Sequence, residues 1–262
     1  MDITTRNFFR LLRAGAFGKQ EKVEPMSACK WRKTMQLAVV HGVEMETYQG
    51  IEVLSEQFFV QLIPADIRTE WANKAYATER RDASKSSELN KHMQKKMESL
   101  QSKGDSSTTE YVVMERLVIL ANALLTDQEW VKQLLELGEV LRERSNEVNR
   151  EKLETLIKQL GMVRMTRLES ALLVELMGMQ VEELPFFTDS SKIQVQTFAS
   201  AIPHGQEQLR FSQGKDIFVH TSNVSAVLWN ARRSARFFRF DPLGSMSNLI
   251  SSFTNSLTNI EE

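Results

Sequence analysis

Side chains able to do chemistry are thinly spread along this chain. The most tempting carboxylate pair is Glu44 and Glu46, in Val43-Glu44-Met45-Glu46-Thr47. Two acids at i and i+2 on a strand point the same way and could hold a magnesium ion for phosphoryl transfer. Here they follow a helix stop at Gly42 and precede another helical pattern, with no strand signal, which favours a solvated turn. The histidines at 41, 92, 204 and 220 are scattered without metal-ligand spacing and read as surface or capping residues. A single cysteine, Cys29, excludes an intrachain disulfide and a Cys-rich zinc site. Gly15-Ala16-Phe17-Gly18 lacks the third glycine and the preceding strand of a phosphate-cradling loop. No Gly-x-Ser-x-Gly elbow occurs. The residues therefore assign no catalytic, cofactor-binding or metal-binding position.

One patch stands out. An amphipathic helix is expected over about Asn223 to Arg239, with Val224, Val227, Leu228, Ala231, Ala235 and Phe238 as its apolar stripe. Arg232, Arg236 and Arg239 recur at spacings of four and three and share another face. Trp229 and Phe237 fall nearer the arginine side. These five residues form a candidate interaction face for a phosphate group, an acidic partner or a membrane surface. The alternative is an ordinary amphipathic helix with solvated arginines.

The elements that must position such a face are helical. Five prolines and eleven glycines are few, and their scarcity over residues 65 to 178 favours long helices. Thr4 or Thr5 can cap a first helix carrying Phe8, Leu11, Leu12 and Gly15. Trp31, Met35, Ala38 and Val39 mark a second, from Ser27 to the stop at Gly42. A third covers roughly Thr47 to Leu62. Ala65 to Ser102 is strongly helical, with a polar middle from Arg80 to Ser87. After a break at Lys103-Gly104-Asp105-Ser106-Ser107-Thr108-Thr109, Tyr111 to Leu125 is apolar on nearly every side, as a central core helix must be. Trp130, Leu134, Leu137 and Leu141 mark the next. Asn149 caps another, ending at Gly161, and Met165 to Leu176 form one more, stopped by Gly178. Trp31, Trp71 and Trp130 sit at core spacing. Beyond Asp189, Ile193-Val195-Thr197 and Ile217-Val219-Thr221 alternate as two short strands or extended loops. Asp241-Pro242 then opens a Ser/Asn-rich end.

Hydrophobic residues at 42%, charged residues at 26% and a net charge of −1 describe an ordinary globular chain. They supply no global field toward nucleic acid or an anionic membrane, so such binding needs a local patch. No apolar run of 18 residues predicts a transmembrane helix. Arg10 and Arg13 interrupt the N-terminal apolar stretch that a signal peptide would need, so the expected location is cytoplasmic.

Three segments, in order, resemble the flanks of the uncharacterised nucleotidyltransferase family of bacteria, especially Bacteroidetes. The first is Asn7-Phe8-Phe9-Arg10-Leu11-Leu12-Arg13-Ala14-Gly15 with Leu37-Ala38-Val39-Val40-His41-Gly42-Val43. The second runs from Glu129-Trp130-Val131-Lys132 to Leu160-Gly161-Met162-Val163-Arg164-Met165. The third is Arg236-Phe237-Phe238-Arg239-Phe240-Asp241-Pro242. The resemblance implies a mixed α/β catalytic domain between the flanks, with a Lys-Gly turn and two aspartates, two residues apart, holding magnesium. Lys103-Gly104 would be what remains of that turn. No Asp-x-Asp occurs, so the family's catalytic residues map to no position here.

The expected architecture is mainly α: a multi-helix, bundle-like body and a less regular C-terminal segment with room for two short strands. The body spans residues 1–188, as 1–103 and 110–188 joined at the 104–109 break. Residues 189–262 form the irregular segment ending in the basic helix. The expected function is a catalytically inactive, nucleotidyltransferase-like helical binding or scaffold module, with no cofactor and no specific nucleic acid. Two alternatives stand beside it. One is a divergent transferase using magnesium and a nucleoside triphosphate through Glu44 with Glu46 or Asp105. The other is a helical adaptor working through the arginine face. The expected partner is a protein or a small molecule.

Overall fold

The computed structural model describes residues 1–79, 89–103, 105–126, 129–186, 231–232, 234–235 and 237–258. Over these residues the chain is all-α, a multi-helix bundle fold without a β-strand. Both proposed strands and the polar stretch Arg80–Ser87 lie outside the described residues. The chain divides into two compact units. The first holds the described residues of Met1–Ser86 together with Leu176–Gly178. The second holds those of Ser87–Glu175, Met179–Val195 and Phe218–Glu262.

In the first unit, α1 (Ile3–Phe17) is capped by Asp2, whose carboxylate accepts from the Thr5 amide at 2.8 Å. Thr4 and Thr5, expected as caps, are inside the helix. An aspartate two residues earlier reaches the orphan first-turn amides equally well. Phe8, Leu11, Leu12 and Ala14 are buried on one face. α2 (Ala28–His41) begins after Ser27 and stops at Gly42, whose φ of 65° is the left-handed conformation that only glycine adopts freely.

The expected Thr47–Leu62 helix instead forms α3 (Glu44–Val53) and a single turn, α4 (Phe58–Gln61). Thr47 lies within α3 and does not start it. Its hydroxyl bonds back to the Val43 carbonyl at 2.7 Å and accepts from Trp71 Nε1 at 3.3 Å. Trp71 is fully buried on α5 (Ala65–Glu79) and so ties α5 to α3.

The segment from Gly18 to Ser27 is pinned to α1 by polar groups. Arg6 donates twice to the Glu24 carboxylate, at 2.9 and 2.8 Å, and Arg10 adds a third bond at 2.6 Å. Asn7 closes the backbone on both sides, donating to the Glu24 carbonyl and accepting from its amide.

In the second unit, α6 (Lys91–Lys103) and α7 (Thr109–Thr126) form an antiparallel hairpin. Asn90, the cap of α6, donates its amide to Asn122 Oδ1 near the far end of α7, at 2.9 Å. The turn between them is built by Asp105, which accepts from the Ser107 amide at 3.0 Å and the Ser107 hydroxyl at 2.7 Å. Gly104 lies outside the described residues.

The apolar α7 is the centre of this unit. It packs against α6, α8 (Trp130–Arg144), α9 (Arg150–Gln159) and a C-terminal helix, α11 (Pro242–Thr258). Asn149 caps α9 as expected, through the Lys152 amide at 3.1 Å, and its own amide donates to Glu110 of α7 at 2.7 Å. α10 (Val163–Met177) ends at Gly178, with φ 60°.

Candidate functional site

Helix α11 is the feature the sequence reading passed over. Asp241 caps it, accepting from the Gly244 amide at 2.9 Å, and Pro242 takes the first helical position, where no amide hydrogen is needed. That Asp-Pro pair is the signal for a helix start, and the serines and asparagines beyond it, weak helix formers, mask it.

The side of α11 that meets the protein is polar. Asp241, Ser245 and Asn248, at spacings of four and three, are buried. Asn248 Nδ2 donates to the Leu125 carbonyl at 2.8 Å, satisfying one of the carbonyls left open at the end of α7. Gly244 allows the approach, because a Cβ there would sit 2.8 Å from Leu125 Cδ1 and 2.6 Å from Asp241 Oδ2.

The opposite side is apolar and faces outward. Leu243 is 65% exposed, Met246 50% and Ile250 61%, with Leu249 at the edge of the stripe. An ordinary amphipathic helix buries its apolar face and exposes its polar one. The described side chains of this helix, residues 242–250, do the reverse, and residues 242–258 carry no charged side chain.

The candidate arginine face lies just ahead of it. Ala231, Arg232, Ser234, Ala235 and Phe237 are helical, as the spacing predicted. Arg232 and Arg239 are exposed, and the Arg239 guanidinium lies 4.5 Å above the centre of the Phe240 ring. Trp229 and Arg236 lie outside the described residues. The two phenylalanines have exchanged places relative to the expected stripe: Phe237 is buried and Phe238 is 49% exposed. A helix turns 100° per residue, so adjacent positions swap faces when its orientation shifts by that amount.

Beneath α11 lies a buried charge cluster. Lys96 Nζ is 3.6 Å from Asp241 Oδ2, and His92 Nε2 is 3.5 Å from Asp241 Oδ1. Glu169 of α10 is wholly buried. Neither of its carboxylate oxygens has a hydrogen-bond partner among the described residues. Burial pushes Glu169 well above the usual carboxylate range, against the pull of Lys96 and with the help of Asp241. Burial likewise holds His92 below its ordinary value, outweighing the attraction of Asp241.

The other chemistry-bearing residues do not converge. Glu44 and Glu46 both stand in the first turn of α3, where residues two apart point to nearly opposite sides. Glu44 is buried, in place of the solvated turn expected. The Asp105 carboxylate is engaged in its turn, and the Ser107 amide and hydroxyl hold it below its ordinary value. His41 is buried beside Phe8. Among the described residues no group of three or more His, Cys, Asp or Glu side chains is placed to hold a metal ion. Among them, too, no helix is long and apolar enough to cross a membrane.

No family model matches the chain, and neither a curated protein nor a solved structure matches it.

Proposed function

We propose that this chain is a helical binding module that seats the apolar stripe of α11, and the arginines ahead of it, on an anionic membrane surface. The observation that carries this reading is the inverted burial of α11. A helix lying in a lipid interface needs an apolar side turned outward and cations within reach of the headgroups. Here the protein itself covers the polar side, so the apolar stripe is already aimed away from the body. Leu243, Met246 and Ile250 supply burial worth about 0.8 kcal/mol per methylene group. Arg232 and Arg239 add about 1 kcal/mol each near an anionic leaflet. Asp241, the acid at the head of the helix, is buried against Lys96.

Sedimentation with lipid vesicles tests this. The protein should pellet with phosphatidylserine-containing vesicles and stay in the supernatant with phosphatidylcholine alone. Arg232→Glu with Arg239→Glu should weaken the capture. Failure to bind anionic vesicles, with tight binding to an acidic protein, would move the same surface to the adaptor reading.

The relation to nucleotidyltransferases belongs to the same proposal, as descent. The sequence order of the segments Asn7–Gly15 with Leu37–Val43, Glu129–Met165 and Arg236–Pro242 supports a non-catalytic relative. Its competitor is a divergent magnesium-dependent transferase using Glu44 with Glu46 or Asp105; among the described residues these acids do not converge.

A further inference from the structure

We propose that α11 captures loosely packed lipid, so that the protein favours strongly curved or defect-rich membranes over flat, tightly packed ones. The inference deepens the membrane reading above and rests on it.

The first observation is what the exposed stripe is made of. Leu243, Met246, Leu249 and Ile250 stand exposed along α11, and none of them is aromatic. Over residues 242–258 every polar side chain is Ser, Thr or Asn, and no Lys, Arg, His, Asp, Glu, Trp or Tyr occurs. The groups that grip a bilayer at the level of its headgroups are cations and the amphipathic aromatics Trp and Tyr. α11 carries neither, so the helix itself offers lipid only apolar burial.

Burial requires room. The headgroups of a flat, well-packed leaflet cover the acyl region, and side chains entering there must first part them. On a convex surface of small radius the outer headgroups spread and leave apolar gaps, which is why interfacial helices respond to curvature. A basic helix offsets the cost of parting headgroups by attracting anionic ones along its length. Here that attraction is confined to the exposed Arg232 and Arg239 ahead of the helix, and the chain's net charge of −1 adds no general pull. The two arginines gather the protein at an anionic surface, and the gaps decide whether the stripe enters.

The second observation is how the helix is held. Asp241, Ser245 and Asn248 are buried on the side toward the protein, and Asn248 donates to the Leu125 carbonyl at 2.8 Å. α11 is thus helical before it meets lipid, packed against α6 and α7. A preformed helix pays no ordering cost on binding, so the difference between tight and loose lipid is felt in full.

A second copy of the chain is the poorer occupant of this stripe. A stable protein interface uses about 20–30 residues a side. Four exposed side chains fall far short of that, even with Phe253 and Leu257, which continue the spacing in sequence. A lipid surface sets no such minimum, because its affinity grows with each side chain inserted.

Flotation with vesicles of one phosphatidylcholine–phosphatidylserine composition reads the preference. Small sonicated and large extruded vesicles are compared at equal outer-leaflet lipid. Capture by the small vesicles should be about tenfold tighter. Replacing part of the phosphatidylcholine by dioleoylglycerol, whose small headgroup leaves gaps in a flat leaflet, should raise capture by the large ones. The preference should persist when added salt screens the arginines. Equal capture by the two sizes overturns the inference and leaves the membrane reading standing, and so does indifference to dioleoylglycerol. A size preference that salt abolishes belongs to Arg232 and Arg239 and also overturns it. Capture by neither size removes the membrane reading and the inference together.

Discussion

Gly50 of α3 lies directly on the backbone of Leu11 in α1: a Cβ built on it would sit 2.0 Å from the Leu11 carbonyl oxygen. The contact is reciprocal one turn along, where a Cβ on Gly15 would sit 1.8 Å from the Glu46 carbonyl oxygen. Both obstacles are helix backbone, so neither can swing aside. Alanine normally gains up to about 1 kcal/mol over glycine inside a helix. Forcing two helices apart costs roughly 1–3 kcal/mol, and the short distances place these sites at the upper end. Gly15→Ala and Gly50→Ala should therefore each lower the urea midpoint of the first unit. A stabilised variant would mean that α1 and α3 do not cross this closely.

The Glu24 carboxylate should govern part of the acid limb of stability. The bonds from Arg6 lower it most, burial opposes them, and the bond from Arg10 and both arginine charges add to the lowering, to about 2 from the ordinary 4.5. A depressed acid contributes stability that is present above its unfolded value and disappears as pH falls through its folded one. Between pH 4.5 and pH 2 the wild-type protein should lose stability more steeply than Glu24→Gln, as followed by urea denaturation at each pH. Part of the carboxylate meets solvent, so added salt should shrink the difference.

The helical body was legible because its signals are local. Trp31, Met35 and Ala38 declared a buried face by spacing, although Val39, read on the same face, is exposed; Gly42 and Gly178 declared stops, and Asn149 declared a cap. The outward stripe of α11 was not legible. Spacing shows that Leu243, Met246 and Ile250 share a side of a helix, but by habit that side is assigned to the core. Only the position of α6 and α7 reveals that Ser245 and Asn248 take the inner side. The Lys96–Asp241 pair was equally hidden. Its members lie far apart in sequence and on two different elements, and no motif links them.

Asn248 should matter more than its place near the C-terminus suggests. Its amide is the buried donor to the Leu125 carbonyl, and that carbonyl ends a helix. Asn248→Ala leaves the acceptor unsatisfied, at a cost of about 1–3 kcal/mol. Thermal denaturation should show the second unit melting earlier, with increased exchange over Pro242–Thr258. No change in either would mean that water replaces the bond freely and that Asn248 is no anchor.

Nucleotide should not stabilise the protein. If the chain is a non-catalytic relative of nucleotidyltransferases, ATP, GTP, CTP or UTP with magnesium leaves the melting temperature where matched salt leaves it. A ligand at a hundred times its dissociation constant would add about 2.7 kcal/mol and a plain upward shift. Such a shift with any one nucleotide would restore the enzymatic alternative. Glu44→Gln, Glu46→Gln and Asp105→Asn would then identify which acid serves the magnesium.

The apolar stripe of α11 should be separable from folding. Leu243, Met246 and Ile250 are each half or more exposed, so serine at all three should change the stability of the free protein by only about 0.5 kcal/mol per site. Serine removes the methylenes that would enter a lipid interface, and vesicle capture should fall by orders of magnitude at about 0.8 kcal/mol per group lost. Arg232→Glu with Arg239→Glu should act differently, weakening capture most at low salt, because headgroup attraction is screened within a Debye length of about 10 Å at 0.1 M. Sedimentation across a salt series distinguishes the two contributions. A triple-serine protein that melts far below wild type would show that the stripe is core, and the docking surface would have to be sought elsewhere.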